Sequence, residues 1–173
     1  MNTTAQDTRI RSAYETHFKV WTTSIALTPL CLYFALHRGD YTLLDNADLI
    51  IHEAGHVFFA PLGPFLRVAG GTLMQLILPG ILIWHFMRHD YRTGAQVSLF
   101  WLGQNLINIS VYAADARARV LPLLGGNRVG HDWANMLGKL GLLPYDQVFG
   151  DVVFSLALLI FSIALILPRY SAD

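Results

Sequence analysis

Long apolar segments separated by short polar stretches make up most of this sequence. They cover residues 20–36, 68–87, 93–114 and 147–167, and the first three contain no Asp, Glu, Lys or Arg. Segments of this length and composition are typical of helices that cross the hydrocarbon core of a bilayer. A shorter apolar helix is predicted between the first two segments. The pattern therefore predicts an all-α, polytopic integral membrane bundle with about five hydrophobic helices.

Two polar regions flank and interrupt these helices. Residues 1–19 form a polar N-terminal tail without the apolar stretch of a cleaved signal peptide, so we expect the first apolar helix to remain as an anchor. Residues 116–146 form the longest polar stretch and predict a re-entrant or interfacial loop. We expect the whole chain, residues 1–173, to form a single membrane-embedded domain.

The composition also favours a membrane protein. Hydrophobic residues make up 54% of the chain and charged residues only 14%, whereas soluble domains carry about 25% charged residues. The 12 basic residues balance the 12 acidic ones, which argues against a nucleic-acid partner. Cys31 is the single cysteine, so an intramolecular disulfide is impossible. The partners we expect are membrane lipid and a membrane-protein or peptide substrate.

The distribution of basic residues predicts an orientation. With five crossings and a cytoplasmic N-terminus, most Lys and Arg residues lie on the cytoplasmic side, as the positive-inside rule requires. If the short second helix does not cross, the two sides receive equal numbers. We expect an integral protein of the bacterial inner (cytoplasmic) membrane with its N-terminus in the cytoplasm.

The candidate chemistry lies on the short second helix, where His52, Glu53 and His56 form an H-E-x-x-H pattern. Residues four apart on a helix share a face, so both imidazoles can bind one metal ion, with Glu53 beside them as a base for a bound water. Ionisable groups in apolar surroundings are costly unless they bind something. A second pair, His85 and His89, lies near arginines at the end of an apolar segment and is interpreted as interfacial.

Two carboxylates precede the motif on the same helix. Asp45 and Asp48 lie one or two turns before His52 at helical spacing. Acidic residues are favoured at helix N-termini, so capping is the preferred explanation, and hydrogen-bonded support of the metal ligands is the alternative.

Amide side chains on the apolar segments are candidates for binding a substrate. Gln104, Asn105 and Asn108 share one face of the fourth helix, and Gln75 is expected to face inward from the third. Hydrogen bonding between helices is an equally good explanation of these amides.

The motif His52-Glu53-Ala54-Gly55-His56 on a membrane-embedded helix resembles the site-2 protease family of intramembrane zinc metalloproteases. The resemblance implies that both histidines bind zinc, that Glu53 activates water, and that the aspartate of a later Leu-Asp-Gly motif supplies the third ligand. No Leu-Asp-Gly occurs in this chain, and Leu124 stands where that aspartate is expected. The chain therefore resembles a divergent, site-2-protease-like group.

A catalytic zinc needs three protein ligands, so a further ligand must come from elsewhere in the chain. His131 and Asp132 follow a glycine-rich turn, and we favour one of them as the ligand and the other as its hydrogen-bonded support. Asp115 is the next candidate. We expect the stretch from Gly125 to Trp133 to return to the second helix and bring one of these side chains within metal-sharing distance.

These features predict a membrane-embedded zinc metallopeptidase that hydrolyses a peptide bond of a membrane or membrane-adjacent substrate, with Glu53 as the catalytic base. One alternative is a zinc-dependent hydrolase of a lipid amide or ester, because the same chemistry cleaves both kinds of bond. Another is a non-catalytic membrane binding protein that keeps a metal for stability. Sites of two histidines and a carboxylate also suit iron or manganese.

Overall fold

The computed structural model describes residues 3–124 and 130–170, with side chains from residue 20 to residue 168 within those ranges. These residues form helices and short turns without any strand, which confirms the all-α prediction. The predicted glycine-rich turn at residues 125–129 lies outside them. The helices are α1 (Thr3–Leu36), α2 (Leu43–Phe59), α3 (Pro64–Arg88), α4 (Arg92–Ala114), α5 (Asp132–Lys139) and α6 (Asp146–Tyr170). Two 3₁₀ turns cover Ala60–Leu62 and Leu143–Tyr145.

Helix α4 is the centre of the bundle. It packs along α6 for most of its length and also contacts α3 and α1. Gly103 allows the close approach of α6, because a Cβ there would lie 2.5 Å from the ring of Phe161. Gln96 is almost fully buried and donates to the Ser24 hydroxyl and to the Ala164 carbonyl, at 2.8 and 2.9 Å. The helices are thus held by polar contacts as well as by apolar packing.

Helices α2 and α3 form a helical hairpin. At the start of α2, the backbone N–H and the hydroxyl of Thr42 both donate to the Asp45 carboxylate at 2.6 Å, so Asp45 caps its own helix. At the other end, Gly63 adopts a φ of 104°, a left-handed conformation that glycine accepts without strain. Pro64 then occupies the first position of α3, where its missing N–H costs nothing.

Two helices in the described part of the chain are long and apolar enough to cross a membrane. They cover Pro64–Arg88 and Leu143–Pro168, whereas the apolar part of α1, Val20–Leu36, is shorter. Helix α4 is as long as a membrane span, but its amide and hydroxyl side chains lower its mean hydropathy. The arrangement of about five membrane helices therefore stays a prediction.

The predicted polar loop between α4 and α6 contains a short helix. Asp115 accepts the backbone N–H groups of Val120 and Leu121, at 3.0 and 3.1 Å, and so organises the turn after α4. Helix α5 follows, and its apolar side belongs to a cluster that includes Ala116 and Leu137. The loop thus folds back onto the bundle.

Candidate metal centre

Close packing of α2 against α3 positions the H-E-x-x-H motif. Gly55 and Gly70 face each other between the two helices, and a Cβ on Gly70 would lie 2.5 Å from the Gly55 carbonyl oxygen. A Cβ on Gly71 would overlap the imidazole of His52. These glycines therefore let α3 lie directly against α2 at the level of the motif.

The two histidines lie one turn apart on α2. The ring centroids of His52 and His56 are 4.8 Å apart, and the rings are almost perpendicular. The His52 side chain is 8% exposed and that of His56 is 21% exposed. Both imidazoles are thus largely withdrawn from solvent while their Nε2 atoms face the same point.

Asp132, the first residue of α5, reaches that point from the polar loop. Its Oδ2 atom lies 3.0 Å from His52 Nε2 and 3.2 Å from His56 Nε2. Two atoms bound to one tetrahedral zinc ion lie roughly 3.2 to 3.6 Å apart. With all three candidate ligand atoms within 4.8 Å of one another, the group could hold a metal ion.

Tyr112 of α4 holds Asp132 in place. Its hydroxyl accepts the backbone N–H of Asp132 at 3.1 Å and donates to Asp132 Oδ2 at 3.3 Å. The Tyr112 ring also lies 5.8 Å from the ring of His52. One side chain therefore fixes both the start of α5 and the direction of the carboxylate.

The hydrogen bond on the far side of each imidazole determines which nitrogen carries the proton. His56 Nδ1 lies 2.8 Å from the carbonyl oxygen of Arg67. Because a carbonyl can only accept, His56 Nδ1 must carry the hydrogen in the neutral ring. Its Nε2 therefore presents a lone pair to Asp132.

A chain of hydrogen-bonded amides fixes the same tautomer in His52. Asp45 can only accept, so Asn108 turns its Nδ2 toward Asp45 Oδ1 at 3.1 Å. Asn108 Oδ1 then accepts from Gln75 Nε2 at 3.1 Å, and Gln75 Oε1 lies 2.9 Å from His52 Nδ1. The direction of every bond follows from the carboxylate, so His52 Nδ1 carries the hydrogen and its Nε2 presents a lone pair.

Three electron-donating atoms therefore converge with no proton between them when both rings are neutral. Burial raises the pKa of the Asp132 carboxyl, but its contacts with His52 and His56 lower it by more, to about 2, when a protonated Nε2 donates to the carboxylate. A cation among these atoms, either a proton on an imidazole Nε2 or a metal ion, offsets the repulsion between the carboxylate and the lone pairs. The donor set of two imidazoles and a carboxylate fits zinc, and leaves a fourth position open.

His131 and Asp115 lie beside this centre and contact each other instead. His131 Nδ1 accepts the N–H of Ala134 at 3.3 Å as the N-cap of α5, and its Nε2 lies 3.4 Å from Asp115 Oδ2. Burial lowers the pKa of His131, which favours the neutral ring. Of the three candidates for the third ligand, the structure thus brings only Asp132 to the two motif histidines. His131 supports Asp132 as the N-cap of the helix on which Asp132 lies. The expected hydrogen bond between the two side chains is not among the contacts of these residues.

The four amides expected to bind substrate differ in their surroundings. Gln75, Gln104 and Asn108 line the cavity beside the motif, yet each donates to another helix, Gln104 Nε2 reaching Asp45 Oδ1 at 3.1 Å. Asn105 is fully buried and donates to the Trp101 carbonyl one turn earlier on α4. Asn105 is therefore buried outside the cavity lining. The other three line the cavity and also make the hydrogen bonds between helices that the alternative explanation predicts, so substrate binding by them stays a prediction.

The metal centre opens onto a cavity of about 1350 Å³. Glu53 is half-buried and lines it together with both motif histidines and Asp132. Apolar side chains such as Leu49, Val57 and Val111 line it as well. The cavity is large enough to admit an extended chain or an acyl group beside the motif.

Comparison with other proteins does not add to these observations. No protein-family model matches this chain, and no curated protein or solved structure is significantly similar to it.

Two contributors to the centre were not among the candidates from the sequence. Tyr112 follows Asn108 by four residues and so lies on the polar face of the same helix. The Arg67 carbonyl has no sequence signal, because every residue carries a carbonyl. A polar residue near the end of an apolar helix, before a loop with candidate ligands, is the signal by which Tyr112 could have been found.

Proposed function

We propose that this protein is a membrane-embedded zinc metalloprotease, similar to the site-2 protease family, that hydrolyses a peptide bond of a membrane or membrane-adjacent substrate. The observation that carries the proposal is the convergence of two imidazoles and a carboxylate beside Glu53 on the cavity wall. Asp132 Oδ2 lies 3.0 Å from His52 Nε2 and 3.2 Å from His56 Nε2. In this proposal Asp132 takes the part that the Leu-Asp-Gly aspartate has in that family.

Glu53 is the group that moves protons in this mechanism. A bound zinc ion would polarise the scissile carbonyl and lower the pKa of a bound water toward 7. Glu53, next to His52 on α2, would take a proton from the attacking water as the water oxygen bonds to the carbonyl carbon, and would pass that proton to the amine as the C–N bond breaks. Gln75 and the Arg67 carbonyl hold the two imidazoles in the tautomer that a metal needs.

The membrane setting is part of the same proposal. Besides the two helices that are long enough to cross a bilayer, α2 exposes the large apolar side chains of Ile50 and Phe58, which are 71% and 67% exposed and lie outside the cavity lining. An exposed apolar face of this kind is stable against lipid. We propose a bundle of about five membrane helices in the bacterial inner membrane, with a cytoplasmic N-terminus and the cavity as the route of the substrate.

The substitution Glu53→Gln tests this function in the zinc-loaded, detergent-purified chain. A randomised peptide mixture is incubated with the protein, and new peptide termini are identified by mass spectrometry. We expect wild type to cleave and Glu53→Gln to be at least about 100-fold slower, because general base catalysis contributes that much. Zinc content should be unchanged, since Glu53 is not a ligand.

Two outcomes would overturn the proposal. Equal cleavage by Glu53→Gln and wild type would remove Glu53 from the mechanism. Glu53-dependent release of fatty acid from phospholipid vesicles, without any peptide cleavage, would identify a lipid amide or ester hydrolase instead.

A further inference from the structure

Helix α5 presents a polar face to the cavity. Its apolar side chains Ala134, Met136 and Leu137 are buried, whereas Asn135 and Lys139 are exposed. Asn135 and Lys139 both line the same cavity as the metal centre. The helix that supplies Asp132 therefore also forms part of the wall along which a substrate would lie.

The helical register determines how far this face extends from the metal centre. Asp132, Asn135 and Lys139 are three and then four residues apart, which places them on one side of the helix. At 1.5 Å per residue, Lys139 lies about 10 Å along the helix axis from Asp132. An extended peptide covers about 3.3 Å per residue, so three substrate residues span the same distance.

Lys139 is available to a ligand. Within the described part of the chain its ammonium has no salt-bridge partner, and its helix ends at this residue. An ammonium group at the edge of a partly apolar cavity attracts an anion more strongly than it would in open water. Asn135, one turn earlier, adds an amide donor on the same path.

We propose that Asn135 and Lys139 form a subsite for an acidic side chain of the peptide substrate, about three residues from the scissile bond. The subsite rests on the proposed protease function, since the metal centre defines the position of the scissile bond. It selects cleavage sites by charge on one side of the bond, while the apolar cavity wall accommodates the other side chains.

Cleavage of the randomised peptide mixture by zinc-loaded protein tests this specificity. We expect Asp and Glu to be enriched about three residues from the cleaved bond, with kcat/KM roughly tenfold higher for a Glu-containing peptide than for its Gln counterpart. Lys139→Arg should keep the preference and Lys139→Glu should invert it toward Lys and Arg. Arg88→Glu, the same change of charge at an exposed position on α3, should leave the preference unaltered.

Arg67 provides a competing explanation, because it also lines the cavity. If Arg67→Glu inverts the charge preference and Lys139→Glu does not, the subsite belongs to Arg67 and the proposal is wrong. Cleavage by wild type without any charge preference would also overturn the subsite, while leaving the protease function intact.

Binding to the Glu53→Gln variant separates the subsite from catalysis. Fluorescently labelled peptides with a single Glu, or a Gln at the same position, are titrated into this variant and into Glu53→Gln combined with Lys139→Glu. Tighter binding of the Glu peptide that is lost in the combined variant would support the subsite even if no peptide is cleaved. Equal affinity for both peptides would overturn it.

Discussion

His52 illustrates how the surrounding hydrogen bonds orient a candidate metal ligand. Its Nδ1 is held by Gln75, whose amide direction is set through Asn108 by the Asp45 carboxylate. Asp45 also caps the helix that carries the motif, so both explanations considered for it, capping and support of the ligands, describe its contacts. A group that holds the outer nitrogen of a ligating histidine typically contributes 10- to 100-fold to metal affinity.

We therefore expect Gln75→Leu to weaken zinc binding about 10- to 100-fold, because His52 Nδ1 loses its acceptor and the ring is no longer held in one tautomer. Competition with a zinc-responsive dye would measure the affinity. Gln96→Leu is the matched control, since it removes another buried glutamine that makes two hydrogen bonds. Gln96 lies near the start of α4, away from the candidate metal centre. If both variants bind zinc as wild type does, Gln75 has no part in the centre.

At the scale of helices, the centre depends on how closely α3 lies against α2. Gly55 and Gly70 bring the two backbones together, and Gly71 leaves space for the His52 imidazole. The glycine in His52-Glu53-Ala54-Gly55-His56 is thus a packing residue, while the two histidines belong to the candidate metal centre. A side chain at any of these glycines would have to separate the helices or displace a ligand.

Gly71→Ala should lower both stability and zinc affinity, because its methyl group overlaps the His52 ring. Overpacking of this kind costs about 1 to 3 kcal/mol. Thermal unfolding in detergent and zinc titration would measure the two effects. Gly80→Ala on the same helix is the control, since a Cβ there meets no atom within 4 Å, and we expect it to be neutral or slightly stabilising. Identical behaviour of the two variants would show that Gly71 does not contact His52.

In the whole molecule, the candidate metal centre connects separate helices of the bundle. The candidate ligands come from α2 and from the start of α5, and α3 and α4 supply the groups that orient them. A metal ion that binds only the folded chain stabilises this arrangement by about 2.7 kcal/mol at a free concentration one hundred times its Kd. Metal removal should therefore loosen the contact between the polar loop and α2.

Removal of zinc with a chelator should lower the midpoint of thermal unfolding by about 5 to 10 °C, given a shift of about 2 to 4 °C per kcal/mol in a chain of this size. The effect should be absent in Asp132→Ala. His85 and His89 offer a second histidine pair at the same spacing, exposed at the end of α3, so their double replacement by alanine should leave the effect intact. Loss of the effect in that double variant would place the stabilising metal at His85 and His89.

The sequence alone was sufficient for features that depend on local periodicity. Uncharged apolar runs predicted helices because a helix satisfies its own backbone, and the spacing of His52 and His56 placed their side chains on one face whatever the rest of the chain does. Only the tertiary structure decided between His131 and Asp132, since adjacent residues point about 100° apart and the choice depends on how Tyr112 and Asp115 hold the start of α5. The sequence likewise left the hydrogen-bond partners of the amides undetermined. A buried donor pairs with whichever acceptor the helix packing brings within reach, and that packing is a property of the whole bundle.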